Sequence, residues 1–113
     1  MYKVVMVDNY LDSKKTEIHE KEFENLAEAE DAYAGVFGQV KNLILEVLKL
    51  MSASDKEQAS VMEQIIAVVK ELELDEEIEL NAREERFLYV GKNCIEFCLA
   101  GKHIVAKIVE SAH

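Results

Sequence analysis

Proline is absent from this sequence of 113 residues, and glycine occurs only four times. Without proline no stiff linker is expected, and no Gly/Ser-rich or repeated stretch divides the chain into parts. A chain of this length buries about two-thirds of the surface that its unfolded form exposes, which is enough to fold alone. These absences predict one domain over residues 1–113.

The sequence also lacks a hydrophobic run long enough to cross a membrane. Its most apolar stretch, residues 36–51, contains two lysines, an asparagine and a glutamate, which disfavours a membrane span. Asp8 follows the start too closely to leave room for the apolar core of a signal peptide. We therefore expect neither export nor membrane insertion.

Cysteine is scarce, with only Cys94 and Cys98. A secreted disulfide framework has a different pattern, so the expected location is the reducing cytoplasm. In a strand, sulfurs four residues apart are about 13 Å from each other, too far to share a metal ion. His19 and His113 have no partner at ligand spacing, and residues 8–14 lack the glycine and glutamate of a calcium loop. We expect no metal and no cofactor.

Positive charge is scarce as well, and the formal net charge is −10. Seven acidic residues and one lysine give −6 between Glu17 and Asp31, and eight acidic residues and one arginine give −7 between Glu71 and Glu85. Such a surface repels phosphate backbones and anionic membranes, so we expect a protein partner, with a basic surface if charge decides the contact. The candidate acidic surface consists of Glu73, Asp75, Glu76, Glu77, Glu79, Glu84 and Glu85.

Two segments before residue 25 have strand patterns. Residues 4–7 are apolar on both faces, which is typical of an interior strand. Residues 16–23 are mostly charged, with Ile18 and Phe23 on opposite faces, which is typical of an edge strand protected against pairing with other chains.

A helical pattern follows. Asn25 and Glu28 can form a capping box, and apolar residues then recur at three- and four-residue spacing over residues 26–51. A helix of that length would overhang the sheet or bend at Gly35 and Gly38, whose ordinary role would be helix packing.

A second helix is predicted after a short connection. Ser54 and Glu57 have capping-box spacing, and apolar residues line one face from Met62 to Leu72. The short connection makes the two helices antiparallel neighbours. Residues 78–80 fit either a helix tail or a brief strand.

Two Gly-Lys sequences predict hairpin turns near the end of the chain. Glycine as the first central residue is typical of type II′ turns, which puts Gly91-Lys92 and Gly101-Lys102 at the tips. In this register Glu96 lies opposite Lys107 and forms an ion pair with it. Together these patterns predict an α+β fold in the chain order β-β-α-α-β-β-β, with the two helices on one face of an antiparallel sheet.

The second face of that sheet is too apolar for open water. It carries Cys94, Cys98, Val105 and Val109, and two helices cover only one face. We expect either packing of the chain's own strands on this face or, as the favoured alternative, a homo-oligomer such as a homodimer that buries it.

Catalytic chemistry has weaker support. Cys98 and His103 are diagonal neighbours on the second face, but a nucleophilic thiolate also needs an electropositive setting and an orienting third group. The ordinary interpretation is that both cysteines are small hydrophobic residues. No phosphate loop or nucleophile elbow is present in the sequence, so we expect no enzyme.

Three hypotheses about function follow. The first is a non-catalytic, homo-oligomeric protein-binding or regulatory module that acts through the apolar sheet face and an acidic rim. The second is an acidic mimic of nucleic acid that inhibits a nucleic-acid-binding protein, as a phage or mobile-element anti-defence protein would. The third is a small thiol-dependent enzyme that uses Cys98.

Overall fold

Two layers, a sheet and a pair of helices, make up the computed structural model. It describes residues 1–10, 16–54, 56–57, 59–74, 76–82, 84–99 and 101–110. The elements in chain order are β1 (Tyr2–Tyr10), β2 (Thr16–Phe23), α1 (Leu26–Ser54), α2 (Ala59–Lys70), β3 (Ile78–Ala82), β4 (Glu85–Gly91), β5 (Cys94–Leu99) and β6 (Lys102–Glu110).

The predicted α+β class and chain order are confirmed, with one strand more after the helices than predicted. The additional strand is β3, in the segment that the sequence left open. All six strands form one antiparallel sheet in the order β2-β1-β6-β5-β4-β3. The first strand therefore pairs with the last, while β2 and β3 form the two edges. The predictions of an interior β1 and a charged edge strand β2 are confirmed.

The long helix α1 begins at the predicted cap, where the Glu28 backbone N–H donates to Asn25 Oδ1 at 2.9 Å. It continues unbroken through Gly35 and Gly38 for 29 residues, or about 43 Å, while a nine-residue strand spans about 30 Å. The helix therefore overhangs the sheet, and Leu50 near its end is 71% exposed. The helix-packing role expected for the two glycines is wrong, because a Cβ on either would meet no atom within 4 Å.

The second predicted capping box is also wrong. Ser54 still belongs to α1, and its hydroxyl donates to the Met51 carbonyl at 3.1 Å, so it satisfies the end of α1 rather than the start of α2. Lys41 Nζ donates to the Leu72 carbonyl at 3.0 Å. These residues lie equally far on either side of the helix connection, which makes α1 and α2 antiparallel as predicted.

Both hairpins are present, but each turn lies one residue later or earlier than predicted. Gly91 pairs with Cys94, which puts Asn93 in the first turn at φ 57°, and Leu99 pairs with Lys102, which puts Gly101 in the second at φ 78°. The left-handed residue is therefore the second central residue of the turn, where asparagine and glycine are both favoured.

Lys102, predicted to be a turn residue, is instead the first residue of β6, and its side chain is buried. Its Nζ lies 3.3 Å from Asp8 Oδ1, beneath the C-terminal half of α1, and both side chains are largely shielded from water. A lysine ammonium in such a place needs its carboxylate partner, and the observed register between β6 and β1 brings the two together.

The core lies between the helices and one face of the sheet. Residues of even number in β1, β4 and β6 and of odd number in β5 point into it, because side chains alternate along a strand. Buried core residues from both layers are Val4, Ala29, Tyr33, Phe37, Val40, Ile44, Leu48, Met62, Val69, Leu72, Leu88, Val90, Ile95, Phe97, Ile104 and Ala106. Phe87 is buried as well, although its number is odd; it lies at the register shift between β3 and β4. No helix in the described ranges is both long enough and apolar enough to span a membrane.

Candidate functional site: the open sheet face

The sheet face opposite the helices, which we call the open face, is covered by no described helix or strand. Helix α1 contacts β1, β2, β5 and β6 on the other face, and α2 packs on α1. The buried residues of β1, β5 and β6 lie on that face, as do Leu88 and Val90 of β4. The open face is therefore built from the residues of odd number in β1 and β6 and of even number in β2 and β5.

Five aliphatic side chains form one continuous patch on the open face. We call Val5, Val7, Ile18, Val105 and Val109 the aliphatic patch. Val7 pairs with Ile18 on one side and with Val105 on the other, so these three form a row across β2, β1 and β6. Ile18 is 59% exposed and Val109 is 37% exposed, while the other three are half-buried by their neighbours. An isolated exposed aliphatic residue needs no explanation, but a group of five on a face that no described element covers does.

The four residues named from the sequence all lie on this face. Val105 and Val109 belong to the aliphatic patch, whereas Cys94 and Cys98 lie beside it on β5, half-buried and exposed respectively. Sequence reasoning missed Val5, Val7 and Ile18 as parts of the same surface. The strand patterns of residues 4–7 and 16–23 were visible, but nothing in the sequence showed that β1 lies beside β6.

A charged cluster occupies the other half of the open face. The Glu96 carboxylate lies 3.3 Å from Arg86 Nη2 and 3.5 Å from His103 Nε2, and the Arg86 guanidinium stacks 4.7 Å from the centre of the Tyr89 ring. The predicted pair of Glu96 with Lys107 is wrong, because in the observed register Glu96 lies opposite Val105 and Lys107 lies opposite Cys94.

The two cysteines differ in their surroundings. Cys98 lies directly opposite His103, closer than the predicted diagonal, and Glu96 can orient the histidine ring. Burial, followed by the Glu96 carboxylate, raises the pKa of the Cys94 thiol, while Lys107 and Arg86 oppose the rise. The raised pKa favours the neutral thiol, so Cys94 behaves as a small hydrophobic side chain.

Two clefts flank α1, and neither contains Cys98 or His103. One of about 330 Å³ lies between α1 and β1–β2, with Val4, Phe23 and Val36 among its lining residues. The other, of about 520 Å³, lies beside the C-terminal half of α1. Among the described residues no three His, Cys, Asp or Glu side chains are grouped so that they could hold a metal ion.

The acidic blocks lie at opposite edges of the sheet. The first covers β2 and the start of α1, and the second covers the approach to β3 and the β3–β4 hairpin. Of the candidate acidic surface, Glu73, Glu76, Glu77, Glu79, Glu84 and Glu85 are exposed, whereas Asp75 lies outside the described residues. The two edges are five strand spacings apart, or about 24 Å.

Comparison of the chain with protein-family models, with curated protein sequences and with solved structures found no match.

Proposed function

We propose that this chain is a non-catalytic protein-binding module that associates with itself through the open face, with an acidic rim on either side. The observation that supports this most is the aliphatic patch on three adjacent strands, which no described helix or strand covers. Burying such side chains against a second protein stabilises the complex by about 25 cal/mol for each Å² of apolar surface removed from water. Antiparallel sheets that pack face to face do this at a spacing of about 10 Å.

Charge supports a protein partner over a nucleic acid. The net charge of −10 is concentrated at the two edges of the sheet, so a phosphate backbone that approached the open face would meet repulsion from both sides. The middle of the face, in contrast, carries Lys3 and Lys107 beside the aliphatic patch. This mixture of apolar and charged side chains is typical of a protein interface.

Self-association is tested with a lysine on the patch and a matched lysine elsewhere. Ile18→Lys puts a charge in the patch at a residue that is 59% exposed, and Val61→Lys makes the same kind of change on α2 at a residue that is 52% exposed. Both variants lower the magnitude of the net charge equally, so general repulsion does not separate them. Sedimentation velocity over a concentration series is expected to show association of the wild type and of Val61→Lys, with Ile18→Lys remaining monomeric.

A monomeric wild type across the whole series would refute the proposal. Equal association of all three proteins would show that the chain associates through another surface.

The exposed carboxylates along the β3 edge favour one other function, an acidic mimic that occupies the nucleic-acid groove of a basic protein. Six described carboxylates of the candidate acidic surface are exposed. A complex of this kind is held by charge and weakens steeply as salt rises, whereas an apolar contact through the open face does not. Capture from a native lysate at two salt concentrations distinguishes the two functions.

A further inference from the structure

We infer that two copies pack open face to open face about a two-fold axis parallel to β1, so that Glu20 of each copy pairs with Lys107 of the other. This inference rests on the self-association proposed above. It identifies the occupant of the open face as a second copy and fixes how that copy is placed.

The register provides the first argument. Strand β1 is flanked by β2 on one side and β6 on the other, and each open-face residue of β1 has one neighbour in each. Val5 lies between Glu20 and Lys107, and Val7 lies between Ile18 and Val105. One row across the three strands therefore has an acidic residue at one end and a basic residue at the other, and the next row is apolar throughout.

A two-fold rotation about an axis along β1 exchanges the two flanks. It places β2 of one copy over β6 of the other without moving any residue along the strand direction. Ile18 then meets Val105 of the second copy, and Glu20 meets Lys107 of the second copy. Both Glu20 and Lys107 are exposed, and neither forms an ion pair with another described residue. Each contact occurs twice because the interface is symmetric.

The residues that lie on the axis can each face their own copy without an unpaired charge. Val5 and Val7 would face their own copies across it, which buries aliphatic surface against aliphatic surface. Lys3 would face its own copy too, but its Nζ lies 3.5 Å from Glu22 Oε1 within the same chain, so its charge is compensated.

The obvious alternative axis fails on charge. The centre of the six-stranded sheet lies between β6 and β5, and a two-fold axis there would put edge strand β2 over edge strand β3 of the other copy. Ile18 would then face Glu79, and Val105 would face Glu96, because each pair lies in one row of the sheet. That arrangement puts carboxylates over both ends of the row formed by Ile18, Val7 and Val105 and lays one acidic edge on the other, both of which are unfavourable. The proposed axis keeps that row apolar, and the one carboxylate that it puts over an aliphatic side chain, Glu22 over Val109, is paired with Lys3 of its own chain.

The geometry of packed sheets is compatible with the proposed axis. Aligned sheets cross at about 30°, so the axis then lies about 15° from β1. Residues one strand from the axis are displaced along the strands by about 2.5 Å, which is within the reach of lysine and glutamate side chains. Three overlapping strands give a contact of roughly 14 Å by 30 Å on each copy, or roughly 900 Å² in total, which is typical of a reversible complex rather than a permanent one.

Charge reversal tests the pairing. Lys107→Glu and Glu20→Lys each replace two ion pairs of the dimer with two like-charge contacts, so each is expected to weaken association about tenfold or more. The double variant restores opposite charges in exchanged positions and is expected to return to within about threefold of the wild type. Lys92→Glu in the β4–β5 turn and Glu63→Lys on α2 change the net charge by the same amounts at exposed residues away from the contact. They are the matched controls, measured by sedimentation equilibrium.

The outcomes separate this inference from the proposed function. If the wild type associates and Ile18→Lys abolishes association, but the two charge reversals behave like their controls or simply add in the double variant, the proposed axis is refuted and self-association stands. If the wild type does not associate at all, both are refuted. Rescue by the double variant supports both.

Discussion

Tyr33 places a hydroxyl in the core of the protein, where its side chain is fully buried and packs against Phe37 with ring centres 6.1 Å apart. Its oxygen has no hydrogen-bond partner among the described residues. Burial, with a smaller contribution from Cys94, raises the pKa of the Tyr33 phenol well above its usual value of 10.0. A buried hydroxyl without a partner loses its hydration on folding and gains nothing in return.

Replacing Tyr33 with phenylalanine is therefore expected to stabilise the protein by about 1 kcal/mol at neutral pH. The gain should grow above pH 10, because the phenol then ionises in the unfolded chain but keeps its proton in the folded one. Wild-type stability falls as pH rises through that value, and Tyr33→Phe removes this contribution. Urea denaturation at pH 7 and pH 10.5 measures both effects.

Tyr2→Phe is the matched control, since Tyr2 is only partly buried at the end of β1. A Tyr33→Phe variant that is less stable than the wild type would show that the hydroxyl has a partner.

Within the secondary-structure elements, glycine stabilises the fold at one position and destabilises it at another. Gly101 has φ 78°, a left-handed conformation that an alanine adopts only at a cost of about 1 kcal/mol or more. Gly35 lies inside α1, where a Cβ would meet no atom within 4 Å. A glycine there lowers helix stability by about 0.5–1 kcal/mol relative to alanine.

The same substitution should therefore have opposite effects at these two positions. Gly101→Ala is expected to lower the free energy of unfolding by about 1 kcal/mol, and Gly35→Ala to raise it by about 0.5–1 kcal/mol. Thermal unfolding followed by circular dichroism measures both. Stabilisation by Gly101→Ala would contradict the turn assignment, and a loss of stability in Gly35→Ala would show that the space beside α1 is needed.

At this scale local patterns predicted most of the fold. Periodicity and the Asn25 cap identified β1, β2 and α1, because these signals depend on neighbours in sequence. The prediction placed each hairpin turn one residue away from its observed position. A two-residue turn can have asparagine or glycine as its second central residue just as well as glycine as its first, so the sequence alone does not decide between the two positions. In the observed frame of the second hairpin Lys102 belongs to β6 and reaches Asp8, a contact between opposite ends of the chain that local sequence does not show.

At the scale of the whole molecule, the pairing of β1 with β6 decides the candidate site. The sequence predicted an uncovered apolar face from Val105 and Val109, but it could not add Val5 and Val7 without knowing that first and last strands are neighbours. The same long-range pairing separates the two acidic blocks to opposite edges. The sequence predicted the charge of the two acidic blocks but not that they lie at opposite edges of the sheet.

The central claim is that the aliphatic patch meets a second copy of the chain, and methyl NMR of a dilution series tests it most directly. With valine and isoleucine methyl groups labelled, the signals of Val7, Ile18 and Val105 are predicted to shift with concentration, while those of Val61 and Val68 on α2 stay constant. Shifts confined to α2, or spectra that do not change with concentration, would contradict the account.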